Sequence, residues 1–281
     1  MKMFGLIGHP VAHSLSPALF KAGYDGRYPY ELIETPDFEE AYSRFLNEYD
    51  GINVTAPFKE LAYSKADILS EECKVIKATN LLVKTPEGIK AYNSDYLGVQ
   101  MWLREVAEGW ESVLPPWPQG EGPTTKEWEG FFSTPLPPHT AVKALIVGLG
   151  GAGKAAAAAA ESLGMEVIRM NRTIRDGQTR PLSDFRECFR EADIIIYNIP
   201  AAIPEMNGLT DSDFTPGRPK HIMEANYRNP SFDENLIKKM KEANPLAEYT
   251  GGRTWLLYQA LTGYEIFTGE KPDLEKMSTV L

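Results

Sequence analysis

The 281-residue chain is poor in the residues that would mark several large classes of protein. It has two cysteines, Cys73 and Cys188, far apart and outside any C-x-x-C. That excludes a disulfide framework and a cysteine-based zinc site. The four histidines, His9, His13, His139 and His221, have no metal-ligand spacing, so no metal is expected. No run of about 18 apolar residues exists to span a bilayer, and the first eight residues lack the apolar region of a signal peptide. A cytoplasmic protein with no membrane partner is therefore expected. There is no basic tract, and the net charge is −10, which argues against a nucleic-acid partner.

Apolar residue types make up 43% of the chain, ample for real cores, and the length suits about two domains. Over the first hundred residues, strand-like runs alternate with helical ones. Strands are predicted at Met3–Ile7, Tyr30–Ile33, Ile52–Thr55 and Ala78–Lys84, the last turned at Pro86-Glu87-Gly88. Ser16 and Pro17 read as the cap and first residue of a helix. A second helix is predicted over Asp37–Tyr49, with Phe38, Ala41, Tyr42, Phe45, Leu46 and Tyr49 on one face. This is an α/β pattern with a largely parallel sheet.

The stretch GINVTAPFKE, residues 51–60, poses a question. Pro57 suits the first helical position, which puts Lys59 in a first turn. A helix N-terminus already carries positive charge, so a cation there is unfavourable and needs a reason.

Residues 109–138 hold seven prolines, four glycines and three of the five tryptophans. They read as an irregular insertion, either a surface excursion or a lid or docking surface. Beyond it, Val142–Val147 forms a continuous apolar run, followed at once by Gly148-x-Gly150-x-x-Gly153 and an alanine-rich helix from Lys154 to Leu163. Gly148 permits the tight turn, Gly150 lets backbone amides approach a pyrophosphate, and Gly153 lets the helix pack close to its strand. With Gly151 and Ala152, these residues are predicted to hold a dinucleotide at the helix N-terminus. The next strand, Glu166–Met170, ends not in an acid but in Asn171-Arg172-Thr173, with Arg175 close behind. Guanidiniums and a hydroxyl suit a ribose 2′-phosphate, so the cofactor is read as NADP. A solvated arginine pair at a strand end is the plainer alternative.

An ordered series now stands out: AHSLSP (12–17), NVTAPFK (53–59), ATN (78–80), NSD (93–95), the glycine motif, Asn171-Arg172-Thr173, Tyr227 and GGRTWLLYQA (251–260). In this order the series resembles the shikimate dehydrogenase family nearly end to end, the Pro/Trp-rich insertion excepted. The resemblance implies an N-terminal α/β substrate domain plus a Rossmann-type NADP-binding domain, with the active-site cleft between them. Residues 1–98 would form the substrate-binding and catalytic domain, completed by C-terminal helices over 256–281. Residues 99–255 would form the NADP-binding domain, with the insertion at 109–140.

The implied reaction is reversible, NADP-dependent reduction of 3-dehydroshikimate to shikimate. Lys59 and Asp95 match the catalytic pair, which answers the question Lys59 raises. Ser14 and Ser16 match the residues that hold the substrate carboxylate, and Thr55, Asn80, Asp95 and Gln259 those that bind ring hydroxyls. Tyr227 matches a further substrate-side residue, and Gly252 falls on the cofactor side. Read without the resemblance, Ser16 is a helix cap, Thr55 and Asn80 are strand-edge polar residues, and Lys59 is a surface lysine. A quinate/shikimate dehydrogenase with broader substrate or NAD use, or a non-catalytic NADP(H)/shikimate sensor, would fit the same pattern, as a monomer or homodimer. The chain departs from the family at Asn198-Ile199-Pro200-Ala201-Ala202, at Glu224-Ala225-Asn226 and at Ala78-Thr79-Asn80-Leu81.

Overall fold

The computed structural model describes residues 2–108, 142–174 and 176–281, without the side chain of Glu108. The insertion and Arg175 thus lie outside the described residues. Among those described, no helix is long and apolar enough to cross a membrane. The chain divides into two units, one of residues 2–98 and 257–281, the other of residues 99–108 and 142–256.

Unit 1 contains a six-stranded sheet in the order β2-β1-β3-β5-β6-β4. Its strands are β1 (Phe4–Gly8), β2 (Tyr30–Glu34), β3 (Gly51–Val54), β4 (Ile68–Leu69), β5 (Leu81–Thr85) and β6 (Gly88–Tyr92). The alternation of strands and helices predicts a largely parallel sheet, and three of its five pairings are parallel. β1 is parallel to both neighbours, whereas β5 runs antiparallel to β3 and to β6. The Pro86–Gly88 turn makes β5 and β6 a hairpin, with no helix to return the chain for a parallel pairing. Residues 78–80, expected in strand, precede it and lie outside β5.

The helices of this unit are α1 (Ser16–Gly23), α2 (Phe38–Glu48), α3 (Lys59–Ser64), α4 (Glu71–Ile76), the start of α5 (Ser94–Glu108), the larger part of α9 (Gly252–Thr268) and α10 (Leu274–Ser278). In α2, Asp37 caps the N-terminus by accepting from the amides of Glu39 and Glu40. Phe38, Ala41, Tyr42 and Phe45 are buried as the spacing predicts, but Leu46 is 43% exposed. At about 100° per residue, Leu46 falls at the margin of the stripe and turns to solvent.

Two helix starts differ from expectation. Ser16 is the first residue of α1 and not its cap, because the Ser14 hydroxyl accepts from the Ser16 amide at 3.2 Å. Pro57, joined to Ala56 by a cis peptide bond, lies in a turn closed by the Phe58 amide on the Thr55 carbonyl at 3.0 Å. Helix α3 therefore begins at Lys59 itself.

Unit 2 contains a second six-stranded sheet, β12-β11-β10-β7-β8-β9, parallel throughout. Its strands are β7 (Lys143–Val147), β8 (Glu166–Met170), β9 (Thr179–Arg180), β10 (Ile194–Tyr197), β11 (Lys220–Glu224) and β12 (Ala247–Thr250). Its helices include α6 (Gly151–Ser162), α7 (Phe185–Glu191) and α8 (Glu234–Ala243). This is the doubly wound dinucleotide-binding order, with the strand order reversing between β7 and β10. Helix α6 begins at Gly151, three residues before the expected Lys154, because the glycines themselves form its first turn. Its alanines from Ala155 to Ala160 are all buried, which explains why they are small.

Asp213 is fully buried at the edge of this core, where it accepts from Thr210 and from the guanidiniums of Arg186 and Arg190. Burial by itself would raise its pKa, but these donors outweigh burial and hold the carboxyl well below its usual 3.8. Asp213→Asn is expected to cost about 2 kcal/mol at neutral pH, the scale of a hydrogen bond to a charged group. A depressed carboxyl pKa stabilises the fold above the unfolded value and loses that contribution as pH falls toward the folded one. The difference between the two proteins in urea denaturation should therefore be full at pH 7 and shrink below about pH 4. A difference that does not change with pH would contradict this account.

Candidate functional site

In unit 1 the predicted residues gather at the carboxyl ends of β1 and β3. The Thr55 amide donates to the Ile7 carbonyl at 2.9 Å. Gly8 is required beside it, since a Cβ there would stand 2.3 Å from the Thr55 methyl. The turn then delivers Lys59, whose carbonyl accepts from the Thr79 amide at 3.1 Å. Lys59 Nζ meets Asp95 Oδ2 at 2.5 Å. Asp95 is the second residue of α5, where a carboxylate is favoured by the helix dipole. Asn93 caps that helix through the Tyr96 amide at 3.2 Å. The ammonium that its own helix disfavours is thus matched by a carboxylate that a neighbouring helix favours. The side chains are 20% and 14% exposed, shielded yet reachable.

Asn80 links Ser94, the residue before Asp95, to α9. Its Oδ1 accepts from the Ser94 amide at 2.7 Å, and its Nδ2 reaches Ser94 Oγ at 3.0 Å and Gln259 Oε1 at 3.3 Å. Glycines permit the approach: a Cβ on Gly98 would meet the Gln259 amide nitrogen at 2.6 Å, and one on Gly263 would meet Ser94 at 3.3 Å. Ser14 and Ser16 form a hydroxyl pair, with Ser14 Oγ donating to Ser16 Oγ at 3.1 Å. The loop carrying Ser14 is clamped by Glu34, which accepts from the amides of Val11 and Ala12. Sequence reasoning misses Gly8, Glu34, Ser94 and Gly98 as contributors. Ser94 has a signal, since it lies within the NSD motif; the others act through approaches across the fold that no local pattern marks.

In unit 2, Gly148 adopts a φ of +86°. A Cβ on Gly153 would stand 1.8 Å from the Gly148 carbonyl oxygen, and one on Gly150 would meet nothing within 4 Å. The start of α6 has no side-chain cap, and the helix itself offers its first amides no acceptor. Across the strand-order reversal, at the end of β10, the buried Oδ1 of Asn198 has no hydrogen-bond partner among the described residues. The glycine turn and the uncapped helix start fit the pyrophosphate of a dinucleotide, whereas Asn198 Oδ1, an acceptor, calls for a donor.

At the end of β8, the Asn171 amide group donates to the Thr173 carbonyl at 3.1 Å and shapes the turn carrying Arg172, which is exposed. Gly252 has a packing reason, because a Cβ there would meet the Ala225 carbonyl oxygen at 2.4 Å. Tyr227 falls in unit 2, after β11, with the Arg228 guanidinium 5.7 Å over its ring. Asn226 ties that segment to the Pro200 carbonyl at 3.0 Å. Buried Glu224 accepts from the amides of Ser231 and Phe232 and from the Tyr249 phenol. Among the described residues no cluster of three or more His, Cys, Asp or Glu is placed to hold a metal ion.

If Arg172 reads a 2′-phosphate, Arg172→Ala should weaken NADPH about tenfold and leave NADH nearly unchanged. The figure is the low end for a hydrogen bond to a charged group, because the site is open to water. Fluorescence titration of both cofactors checks it; equal weakening would reject the assignment.

Three comparisons bear on these sites. A family model described as the shikimate dehydrogenase substrate binding domain matches residues 6–82. One described as the D-isomer specific 2-hydroxyacid dehydrogenase, NAD binding domain, matches residues 124–223. The chain is 28% identical to the shikimate dehydrogenase (NADP(+)) of Staphylococcus epidermidis, over 99% of this chain and 96% of that protein. The structure resembles that of shikimate 5-dehydrogenase from Thermus thermophilus in complex with NADP(H) and shikimate, with a TM-score of 0.72, 24% identity and coverage of 100% and 98% of the two chains. It also resembles quinate dehydrogenase from Corynebacterium glutamicum in complex with NAD, with a TM-score of 0.73, 19% identity and coverage of 99% and 98%. At those identities the two structures establish a shared fold.

Proposed function

The chain belongs to the shikimate dehydrogenase family, and from that membership we propose that it is an NADP-dependent enzyme interconverting 3-dehydroshikimate and shikimate. The observation that carries the reading is the Lys59–Asp95 pair, closed at 2.5 Å within a wall of hydrogen-bonding side chains. Residues 1–98 with 256–281 serve as the substrate half, and 99–255 as the cofactor half. The enzyme works in the cytoplasm as a monomer or homodimer, without a nucleic-acid partner.

Bound NADPH supplies the hydride that converts the ketone carbon to a secondary alcohol carbon. The Lys59 ammonium donates the accompanying proton to the carbonyl oxygen, and its charge stabilises the alkoxide as it develops. Asp95 holds the ammonium in place beside the carbonyl oxygen through their 2.5 Å contact. In the oxidative direction the Lys59 amine removes that proton. Ser14 and Ser16 donate hydroxyl protons to the substrate carboxylate. Thr55, Asn80, Asp95 and Gln259 serve the ring hydroxyls, and Tyr227 assists on the substrate side. Both Nδ2 protons of Asn80 already have partners, and the Gln259 bond, at 3.3 Å, is the longer of the two. Asn80 therefore receives a ring hydroxyl by opening that bond.

Gly148, Gly150, Gly151, Ala152 and Gly153 would hold the phosphates of the cofactor; Asn171, Arg172 and Thr173, together with Arg175 on sequence grounds, would hold its 2′-phosphate, and Gly252 falls to the cofactor side. Initial rates with shikimate and with quinate, each with NADP and with NAD, test the assignment. Shikimate with NADP should be fastest. Quinate with NAD equalling or exceeding it would favour the broader quinate/shikimate dehydrogenase reading.

A further inference from the structure

Two tyrosines, Tyr264 buried and Tyr30 half-buried, pack against the helix that Ser16 opens, from different parts of unit 1. Tyr30 opens β2 and Tyr264 lies on α9, and the ring of each packs 4.8 Å, centroid to centroid, from Phe20 of α1. The Tyr264 hydroxyl donates to the Ser16 carbonyl at 3.0 Å. The Tyr30 hydroxyl reaches Asn53 Oδ1 at 2.7 Å, and its ring centroid stands 6.0 Å from that of Tyr264.

The direction of these bonds can be worked out. Asn53 Nδ2 faces the Asn80 carbonyl at 3.3 Å, and a carbonyl only accepts. Asn53 Oδ1 therefore faces Tyr30, whose O–H is the donor there. Ser16 Oγ accepts from Ser14 at 3.1 Å. Tyr264 thus holds the Ser16 end and Tyr30, through Asn53, the Asn80 end, and both rings pack against the same Phe20, joining the two groups of residues that the proposed function assigns to the substrate.

We propose that Tyr30 and Tyr264 are positioning residues for the substrate carboxylate, holding Ser16, and through it Ser14, at a fixed distance from Asn80. The proposal rests on the reading of Ser14 and Ser16 as the carboxylate's donors. When a carboxylate binds, Ser14 and Ser16 turn their protons toward it. The Tyr30 proton stays on Asn53 and the Tyr264 proton on the Ser16 carbonyl, so the serines change partner without losing position. Their support comes from the buried aromatic cluster and not from the ligand.

The test compares Tyr30→Phe and Tyr264→Phe with Ser14→Ala, using shikimate and its uncharged methyl ester. Each phenylalanine removes one oxygen and keeps the ring packing. The carboxylate does not react, so its loss of anchorage should appear in KM and leave kcat nearly unchanged. KM for shikimate should rise about threefold to tenfold in each tyrosine variant, the loss of roughly one ordinary hydrogen bond. KM for NADP and the melting temperature should stay near those of the wild type, and kcat/KM for the ester should change little. A rise in KM with Ser14→Ala but in neither tyrosine variant would overturn this inference alone. An equal loss on the acid and the ester, or a loss tracking a fall in melting temperature, would reduce both tyrosines to packing and also overturn it. If Ser14→Ala leaves KM unchanged, the assignment of the carboxylate to these serines fails, and this inference fails with it.

Discussion

Lys59→Met is expected to lower turnover at least about 100-fold, the low end for losing a positioned acid–base group. Methionine keeps most of the length and the apolar stem of lysine, so the change is close to a deletion of charge. Lysine at the first position of α3 gains nothing from that helix's dipole, so removing it costs the helix little. Asp95 loses a partner but stays in the first turn of α5, where its charge is favoured. The stability cost should therefore be about 1 kcal/mol, as for a partly exposed ion pair. NADPH affinity should be unchanged, because the glycine turn and Arg172 belong to unit 2. Asp95→Asn should slow turnover as well and raise KM, since Asp95 is also assigned a ring hydroxyl. The double variant should lose much less than the product of the two single losses, as groups acting as one unit do. Kinetics of the three variants, with melting curves and NADPH titrations, check this. A Lys59→Met protein turning over near the wild-type rate would return Lys59 to an ordinary surface lysine.

The second large effect separates two glycines of one motif. Gly153→Ala should abolish measurable NADPH binding and lower the melting temperature of the protein. Its Cβ would sit 1.8 Å from a backbone oxygen, so helix α6 would have to move away from β7. Overpacking of that kind costs on the order of 1–3 kcal/mol or more. Gly150→Ala has no such clash, since nothing lies within 4 Å of its Cβ, and its φ of −71° suits alanine. It should leave the fold unchanged or slightly firmer, yet weaken NADPH at least about tenfold, because the added methyl occupies the space that brings amides to the pyrophosphate. Thermal melts and cofactor titrations of the two variants distinguish the roles. A Gly150→Ala protein that binds NADPH normally would show that the phosphates lie elsewhere.

What could be read from the sequence alone follows from how local each signal is. The glycine turn, the strand before it and the alanine helix after it are contiguous, and their spacing carries its own physical reasons. Lys59 and Asp95 were also recognisable, but only through their motifs, because no spacing rule links residues 36 positions apart. The errors fall where a neighbour changed the outcome. Ser16 has the residue type of a cap, but it is already the first residue of α1, and its own amide is taken by the Ser14 hydroxyl. Pro57 is spent in a turn and not at a helix start. The first sheet is largely parallel as expected, but its antiparallel pairing of β5 with β3 is a long-range choice that strand patterns do not encode. The setting of Gln259 beside Asn80 depends on Gly98 and Gly263 letting two helices approach, which is visible only once the helices are side by side.

The central claim is that the chain is a working dehydrogenase and not a binder of the same ligands. The most direct measurement is the initial rate of NADPH oxidation by the wild-type protein, followed by the loss of the reduced nicotinamide's absorbance, with and without 3-dehydroshikimate. The account predicts oxidation that depends on 3-dehydroshikimate, saturates with it and yields one shikimate per NADPH consumed. Tight binding of both ligands with no NADPH oxidised would contradict it, and would make the protein an NADP(H)/shikimate sensor.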